Sequence, residues 1–335
     1  MLIDAHGHYT TVPSGLRVFR ALQISQMGRP VKKPVAISDD EIRESLEKGQ
    51  LKLMDERGID LMLFSPMASA MGHHFGGAVI SRHWTEVNND LIARVCGLFP
   101  DRFAGVCALP QSPGVSPMDC AEELERCVTG LGFVGCNLNP DPSGGYWTDP
   151  PLGDEWWYPL YEKLQALNVP AMIHASATCN PAFHPVGSHY LNVDSTAFLQ
   201  LLESRVFSDF PRLRFVLAHG GGNVPYQAAR YRALSLMHGW EPFERFIARF
   251  YWDTTVYSQE AMDLLIRVVG VDRVIYASEM LGGVNTTDPA TGRSFDDNKA
   301  LVDAIPWLSA ADRAKMFEDN VRQAYPRLTV RSAGL

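Results

Sequence analysis

The chain opens Met-Leu-Ile-Asp-Ala-His6-Gly7-His8-Tyr9. In an extended strand, side chains at i and i+2 leave the same face. His6 and His8 can therefore aim two imidazoles at one point, an arrangement that suits a divalent metal ion. A His-x-His pair also fits surface or core histidines, so the rest of the chain must decide. Further polar groups close apolar runs: His174 in Ala-Met-Ile-His174, His219 in Val-Leu-Ala-His219-Gly-Gly-Gly, and Glu279 in Tyr-Ala-Ser-Glu279. Asn137, Asn139 and Asp253 hold similar places.

The elements that must position these residues are visible as eight β-rich runs, at 2–6, 60–65, 103–109, 133–137, 170–175, 214–219, 250–254 and 273–278. Several are nearly continuous in Val, Ile, Leu, Met, Phe or Ala, which suits parallel strands covered on both faces. Helical patterns lie between them. The stretch 38–57 opens on Ser38-Asp39-Asp40-Glu41, a capping box, and Gly58 ends it. The stretch 81–98 carries Trp84, Val87, Leu91 and Val95 at helical spacing. Further helices are expected at 118–129, 156–167, 195–204, 225–237, 260–269 and 310–325.

Eight strand–helix units fit a (β/α)8 TIM barrel. A doubly wound sheet usually has fewer strands and a Gly-rich phosphate turn, and no G-x-G-x-x-G follows the first strand. The whole of 1–335 reads as one domain with elaborated loops on the catalytic face. In such barrels catalytic residues sit at the C-terminal ends of strands, and there the candidates fall. His6 and His8 end strand 1, Asn137 and Asn139 strand 4, His174 strand 5, His219 strand 6 and Asp253 strand 7, and Glu279 follows strand 8. One histidine at a strand end is usually a hydrogen-bonded core residue; four, with a carboxylate, point to a metal site.

The segment 9–38 leaves strand 1 on the same face. It contains no Asp or Glu but includes Arg17, Arg20, Arg29, Lys32 and Lys33. It reads as a basic lid that draws in an anion, or as a solvated loop or subunit contact. Pro13, Pro30 and Pro34 favour a non-helical path for part of it. His73, His74 and the 189–192 stretch occupy other loops of that face.

Several stretches, HGHYT (6–10), LPQSPGV (109–115), NLNPDPSGG (137–145), HYLN (189–192), HGGGNVPY (219–226), ASEM (277–280) and DNVRQAYPRL (319–328), give the chain an end-to-end resemblance to a known family. It resembles the amidohydrolase superfamily, in its branch of amidohydrolase-related decarboxylases and hydratases. The resemblance implies one Zn²⁺, with Mn²⁺ or Co²⁺ as alternatives, held by His6, His8, His174 and Glu279. The branch's decarboxylases carry Asp at the strand 8 position and its hydratases Glu, so Glu279 favours hydration. The implied reaction adds water to the C=C bond of an unsaturated 2-oxo tricarboxylate, as in bacterial degradation of aromatic compounds. Glu279 would take the water's proton, and His219 would hydrogen-bond the developing enolate or move its proton. Asp253 would orient His219 or cap a loop. His73, Asn139, Tyr190 and Asn192 are expected to contact a small di- or tricarboxylate. The hydratase pattern has Arg in the loop after strand 2, where this chain has Met67. The rival reading is a metal-dependent, non-oxidative decarboxylase of a carboxymuconate semialdehyde or hydroxybenzoate. A superfamily hydrolase and a non-catalytic binding barrel rank lower.

Bulk properties agree with an enzyme of small molecules. Thirty basic against 38 acidic residues give a net charge of −8 with no basic tail, which argues against nucleic acid. Hydrophobic residues make up 46%, enough for a large core. No run approaches the roughly 18–20 apolar residues of a membrane span, and neither a signal nor a transit peptide is evident. Six scattered cysteines without a C-x-x-C pair read as reduced thiols of a cytoplasmic protein. A homo-oligomer is expected.

Overall fold

The computed structural model describes residues 1–26, 29–31 and 35–329. Its eight strands are β1 (Ile3–His8), β2 (Leu61–Ser65), β3 (Phe103–Cys107), β4 (Gly135–Leu138), β5 (Ala171–Ile173), β6 (Phe215–Leu217), β7 (Phe250–Asp253) and β8 (Val274–Ile275). They lie in chain order, each parallel to the next. The last meets the first through the Ala5 amide on the Tyr276 carbonyl (2.9 Å) and the Glu279 amide on the His6 carbonyl (3.0 Å). The Ser278 amide also donates to the Asp4 carboxylate (3.0 Å). The result is the expected (β/α)8 barrel, and every strand residue except Asn137 is buried.

Two apolar layers hold it. The inner one takes Ile3, Ala5, Leu63, Val106, Met172, Val216, Tyr251 and Ile275 from the strands, and Val321, Ala324 and Tyr325 from the C-terminal segment. Tyr325 lies beside Gly135, the first residue of β4. The C-terminal segment therefore plugs the end where strands begin, which leaves the other end for the site. The outer layer packs strands against helices, with Phe64, Leu138, Phe215 and Trp252 among its members.

The helices differ from expectation in instructive ways. Part of the basic segment is helical: α1 (Ser14–Ser25) starts directly after Pro13, whose fixed φ suits a helix entry, and buries Leu16, Phe19 and Gln23. Arg17 is exposed, and the Arg20 guanidinium lies 4.6 Å from the Trp84 ring centre. Lys32, Lys33 and Pro34 lie outside the described residues. The capping box at Ser38 forms, but the helix is broken into α2 (Asp39–Lys48) and α3 (Gln50–Arg57) at Gly49, where Thr11 packs close. Next come α4 (Gly77–Leu98), α5 (Met118–Glu125) and α6 (Tyr158–Leu167). The following helix, α7 (Tyr190–Leu202), begins five residues before the expected start at 195. Asn192, Asp194 and Ser195 lower its intrinsic propensity, and packing overrides that. No helix among the described residues is long and apolar enough to cross a membrane.

One buried network ties the end of β3 to its two flanking helices. Asn89 of α4 bonds the Ala108 amide (2.9 Å) and carbonyl (3.0 Å) and donates to Glu123 of α5 (2.7 Å). Glu123 also accepts from Arg126 (2.7 and 2.8 Å). Burial opposes the Glu123 charge, but the hydrogen bonds from Arg126 and Asn89 outweigh it and hold the carboxyl below its ordinary range. The contribution is therefore complete above the unfolded-state pKa and lost as pH falls through the lower folded-state value. Glu123→Gln should cost about 2–4 kcal/mol at neutral pH, and urea unfolding should show the deficit shrinking in acid.

Candidate metal centre

The site begins with an irregularity in β1. Ile3 and Ala5 point to the inner layer, yet a Cβ on Gly7 would meet Met62 of the outer layer. The inward side switches between Ala5 and His6, where the pairing with β2 shifts register between Asp4 and Gly7. A bulge adds one residue and reverses the facing of the residues after it. It turns the His-x-His pair toward the barrel axis.

Each of three imidazoles is held from behind at Nδ1. His6 Nδ1 meets the Asp253 carboxylate at 2.7 Å, His8 Nδ1 the Ser65 hydroxyl at 2.7 Å, and His174 Nδ1 the Ala175 carbonyl at 2.6 Å. The Ser65 hydroxyl also receives the Asn137 amide (3.1 Å) and faces the Gly7 and Pro66 carbonyls (each 3.2 Å), so its own proton goes to backbone. This network assigns the proton of each ring to Nδ1. Three Nε2 lone pairs then converge, 3.0 Å apart between His6 and His8 and 3.2 Å between His8 and His174. Nitrogens at about 2.0–2.1 Å from a tetrahedral zinc would stand about 3.3 Å apart. Burial, and then the neighbouring imidazoles, hold His8 and His174 well below the ordinary histidine pKa, in the neutral form a metal requires. The donor set fits a divalent cation.

Glu279 and His219 complete the site. Ligand atoms of His6, His174, His219 and Glu279 lie within 4.8 Å of one another. This grouping takes His219 in place of the expected His8. The two differ in their surroundings. Burial opposes a proton on His219, but Asp194, whose carboxylate meets Nδ1 at 2.8 Å, outweighs it and raises the pKa to about 9. A protonated ring is a donor, not a ligand. Its Nε2 is buried without a hydrogen-bond partner, 3.9 Å from Glu279 Oε2. That oxygen accepts the Tyr257 hydroxyl at 2.7 Å. His219, Tyr257, Glu279 and Leu281 all have left-handed backbones, with φ of 51°, 59°, 51° and 60°. Each costs roughly 1–3 kcal/mol and persists where packing imposes it. Beyond His219, Gly221 is also left-handed, and a Cβ there would come within 2.2 Å of Trp252.

Beside these groups lies a cavity of about 260 Å³, whose lining includes His8, His174, Glu279, Tyr190, Thr10, Met67 and Ser69. Tyr190 stacks on His219, ring centres 5.4 Å apart. The other expected substrate contacts do not line it. Asn192 is exposed on α7. Asn139 is buried and bonds Ser176 (2.9 Å) and the Asp141 backbone, so it organises its own loop. His73 is buried, and burial lowers its pKa to about 4. Asp253 serves His6 and the Gly220 amide (2.9 Å), while Asp194 orients His219. Asp194, Tyr257 and Ser65 do not stand out in the sequence. Asp194 falls just before the helix expected at 195–204, and only the earlier start of α7 places it on a buried face.

The amidohydrolase family model matches residues 3–327. The chain is 48% identical over 331 residues to 2-keto-4-carboxy-3-hexenedioate hydratase of Sphingobium sp., covering 98% of this chain and 97% of that one. The crystal structure of 4-oxalomesaconate hydratase from Rhodopseudomonas palustris superposes with a TM-score of 0.91 at 46% identity, covering 98% and 96%. A γ-resorcylate decarboxylase of Rhizobium sp. is 29% identical over 314 residues, covering 84% and 87%.

The geometry makes two measurable demands. Asp194→Asn should leave the fold intact but reduce kcat by roughly 10²–10³-fold, within the range of general acid–base contributions, with KM little changed in steady-state assays. Chelation should lower the thermal unfolding midpoint, and Zn²⁺, Mn²⁺ or Co²⁺ at about 100 times Kd should restore about 2.7 kcal/mol. Calorimetry that finds no metal-dependent shift would remove the metal from the site.

Proposed function

The chain belongs to the amidohydrolase family, and within it we propose a metal-dependent hydratase that adds water to the C=C bond of an unsaturated 2-oxo tricarboxylate of the 4-oxalomesaconate type. The observation that carries this reading is the pairing of Glu279, the carboxylate after strand 8, with the Asp194-backed His219 at 3.9 Å. Likeness to two hydratases over nearly the whole chain supports it.

His6, His8, His174 and Glu279 would hold the cation, and Zn²⁺ is the proposed ion. When bound, it supplies Lewis acidity, which acidifies water and draws charge from a carbonyl. In a 2-oxo acid with a conjugated C=C bond, the β carbon is electrophilic. The Tyr257 hydroxyl occupies Glu279 Oε2. The carboxylate is thereby oriented to take a proton from the attacking water. Negative charge then develops at the ketone oxygen, and return of the proton from Glu279 to the α carbon completes the addition. His219, engaged at Nδ1 by Asp194, would present its unpartnered Nε2–H to that oxygen. Tyr190, stacked on His219, fixes the ring plane.

The substrate's carboxylates need counter-charge. Among the described residues the cavity lining contains no lysine or arginine, and Met67 stands in the wall. We assign charge recognition to the basic segment 9–38, in which Arg17, Arg20 and Arg29 are among the described residues.

Metal-loaded protein mixed with 4-oxalomesaconate should consume the conjugated chromophore without releasing CO2. Equimolar CO2 would establish the decarboxylase instead. Glu279→Gln with metal retained should lose at least about 10²-fold in kcat, and a wild-type rate would remove Glu279 from the mechanism.

A further inference from the structure

The chain after β8 makes a long excursion before helix Asn298–Asp303. Residues 281–295 are all exposed or half-buried, yet Asp296 is only 1% exposed. Its Oδ2 accepts the Leu281 amide at 3.0 Å and its Oδ1 accepts Arg57 Nη2 at 2.7 Å. The Asp296 carbonyl accepts Arg57 Nη1 at 3.0 Å. Arg57 is the last residue of α3, the helix that leads into β2. The pair therefore links the first β/α unit to the excursion after the last strand, across the seam where the barrel closes.

The amide so held belongs to a turn that does not relax freely. Glu279 and Leu281 are both left-handed, and the Gly282 amide returns to the Glu279 carbonyl at 2.9 Å. A Cβ on Gly282 would lie 2.6 Å from that carbonyl oxygen and 3.1 Å from Glu279 Cδ. The Glu279 side chain rests on the backbone of its own turn, so any unwinding there moves the carboxyl group. Side chains outside the turn must supply what the turn's intrinsic preference does not.

We propose that Asp296, oriented by Arg57, is a positioning residue that holds the Glu279–Gly282 turn through the Leu281 amide and so aims the Glu279 carboxylate into the cavity. The inference rests on the reading of Glu279 as the group that takes the water's proton. Asp296→Ala removes the acceptor. Asp296→Asn keeps an oxygen for the Leu281 amide while removing the charge.

In full-length, metal-loaded protein, Asp296→Ala should lower kcat at least tenfold with KM within twofold, and Asp296→Asn should recover most of that loss. A tie that serves only stability would lower the unfolding midpoint of both variants and leave kcat per folded, metal-loaded molecule unchanged, which overturns the proposal. Hydrogen exchange on the wild-type protein tests it whether or not Asp296→Ala folds. The Leu281 amide should exchange far more slowly than the amides of exposed residues 285–287. Exchange as fast as theirs overturns the proposal. Glu279→Gln assayed alongside separates the two ideas. If it turns over normally, the reading of Glu279 fails and the proposal with it. If it is inactive while Asp296→Ala is fully active, only the positioning role fails.

Discussion

Everything at the open end of this barrel depends on three lone pairs that face one another. Asp253, Ser65 and Ala175 each take an Nδ1 proton, and so His6, His8 and His174 have no proton to share across gaps of 3.0 and 3.2 Å. Neutral imidazoles so arranged repel, and a cation turns that repulsion into attraction. The carboxylates behind the site obey the same logic. Asp253 fixes the tautomer and orientation of His6, as an outer carboxylate does for a histidine that meets a metal. One helix away, Asp194 holds a proton on His219. In both pairs Nδ1 meets the carboxylate and Nε2 faces the cavity; what differs is that the Nε2 of His6 converges on other imidazoles while that of His219 stands opposite Glu279.

The strand-end histidines could be read from sequence because buried parallel strands are sharply bounded apolar runs, and a polar residue at their close stands out. The partners that set the chemistry were hidden because they come from other elements. Ser65 closes β2, Tyr257 follows β7, and Asp194 lies on α7. No periodicity links them to His8, Glu279 or His219. Asn192 shows how a shifted boundary misplaces a residue. With α7 starting at Tyr190, the positions Tyr190, Val193, Asp194 and Ala197 share its buried face. Asn192 lies about 200° around from Tyr190 and faces out. The β1 bulge was also beyond reach. Alternation correctly paired His6 with His8, but regular alternation from Ile3 would have turned both away from the axis.

Strain is distributed unevenly along the barrel axis. Among the described residues, four of the six non-glycine positions with left-handed backbones, His219, Tyr257, Glu279 and Leu281, follow strands 6, 7 and 8. At the opposite end, Val321, Ala324 and Tyr325 pack into the inner layer. One end carries the apolar closure that stabilises the fold. The other carries conformations that the fold imposes. That division lets site geometry depart from local preference without loosening the core.

The placement of the ligands along the chain also orders events in time. His8 precedes Glu279 by 271 residues. At ordinary rates of synthesis, tens of seconds separate them. Since the seam between β8 and β1 forms only when both ends are present, the full set of donors exists only in the finished barrel. A cation held by His6, His8, His174 and Glu279 would therefore be acquired after translation.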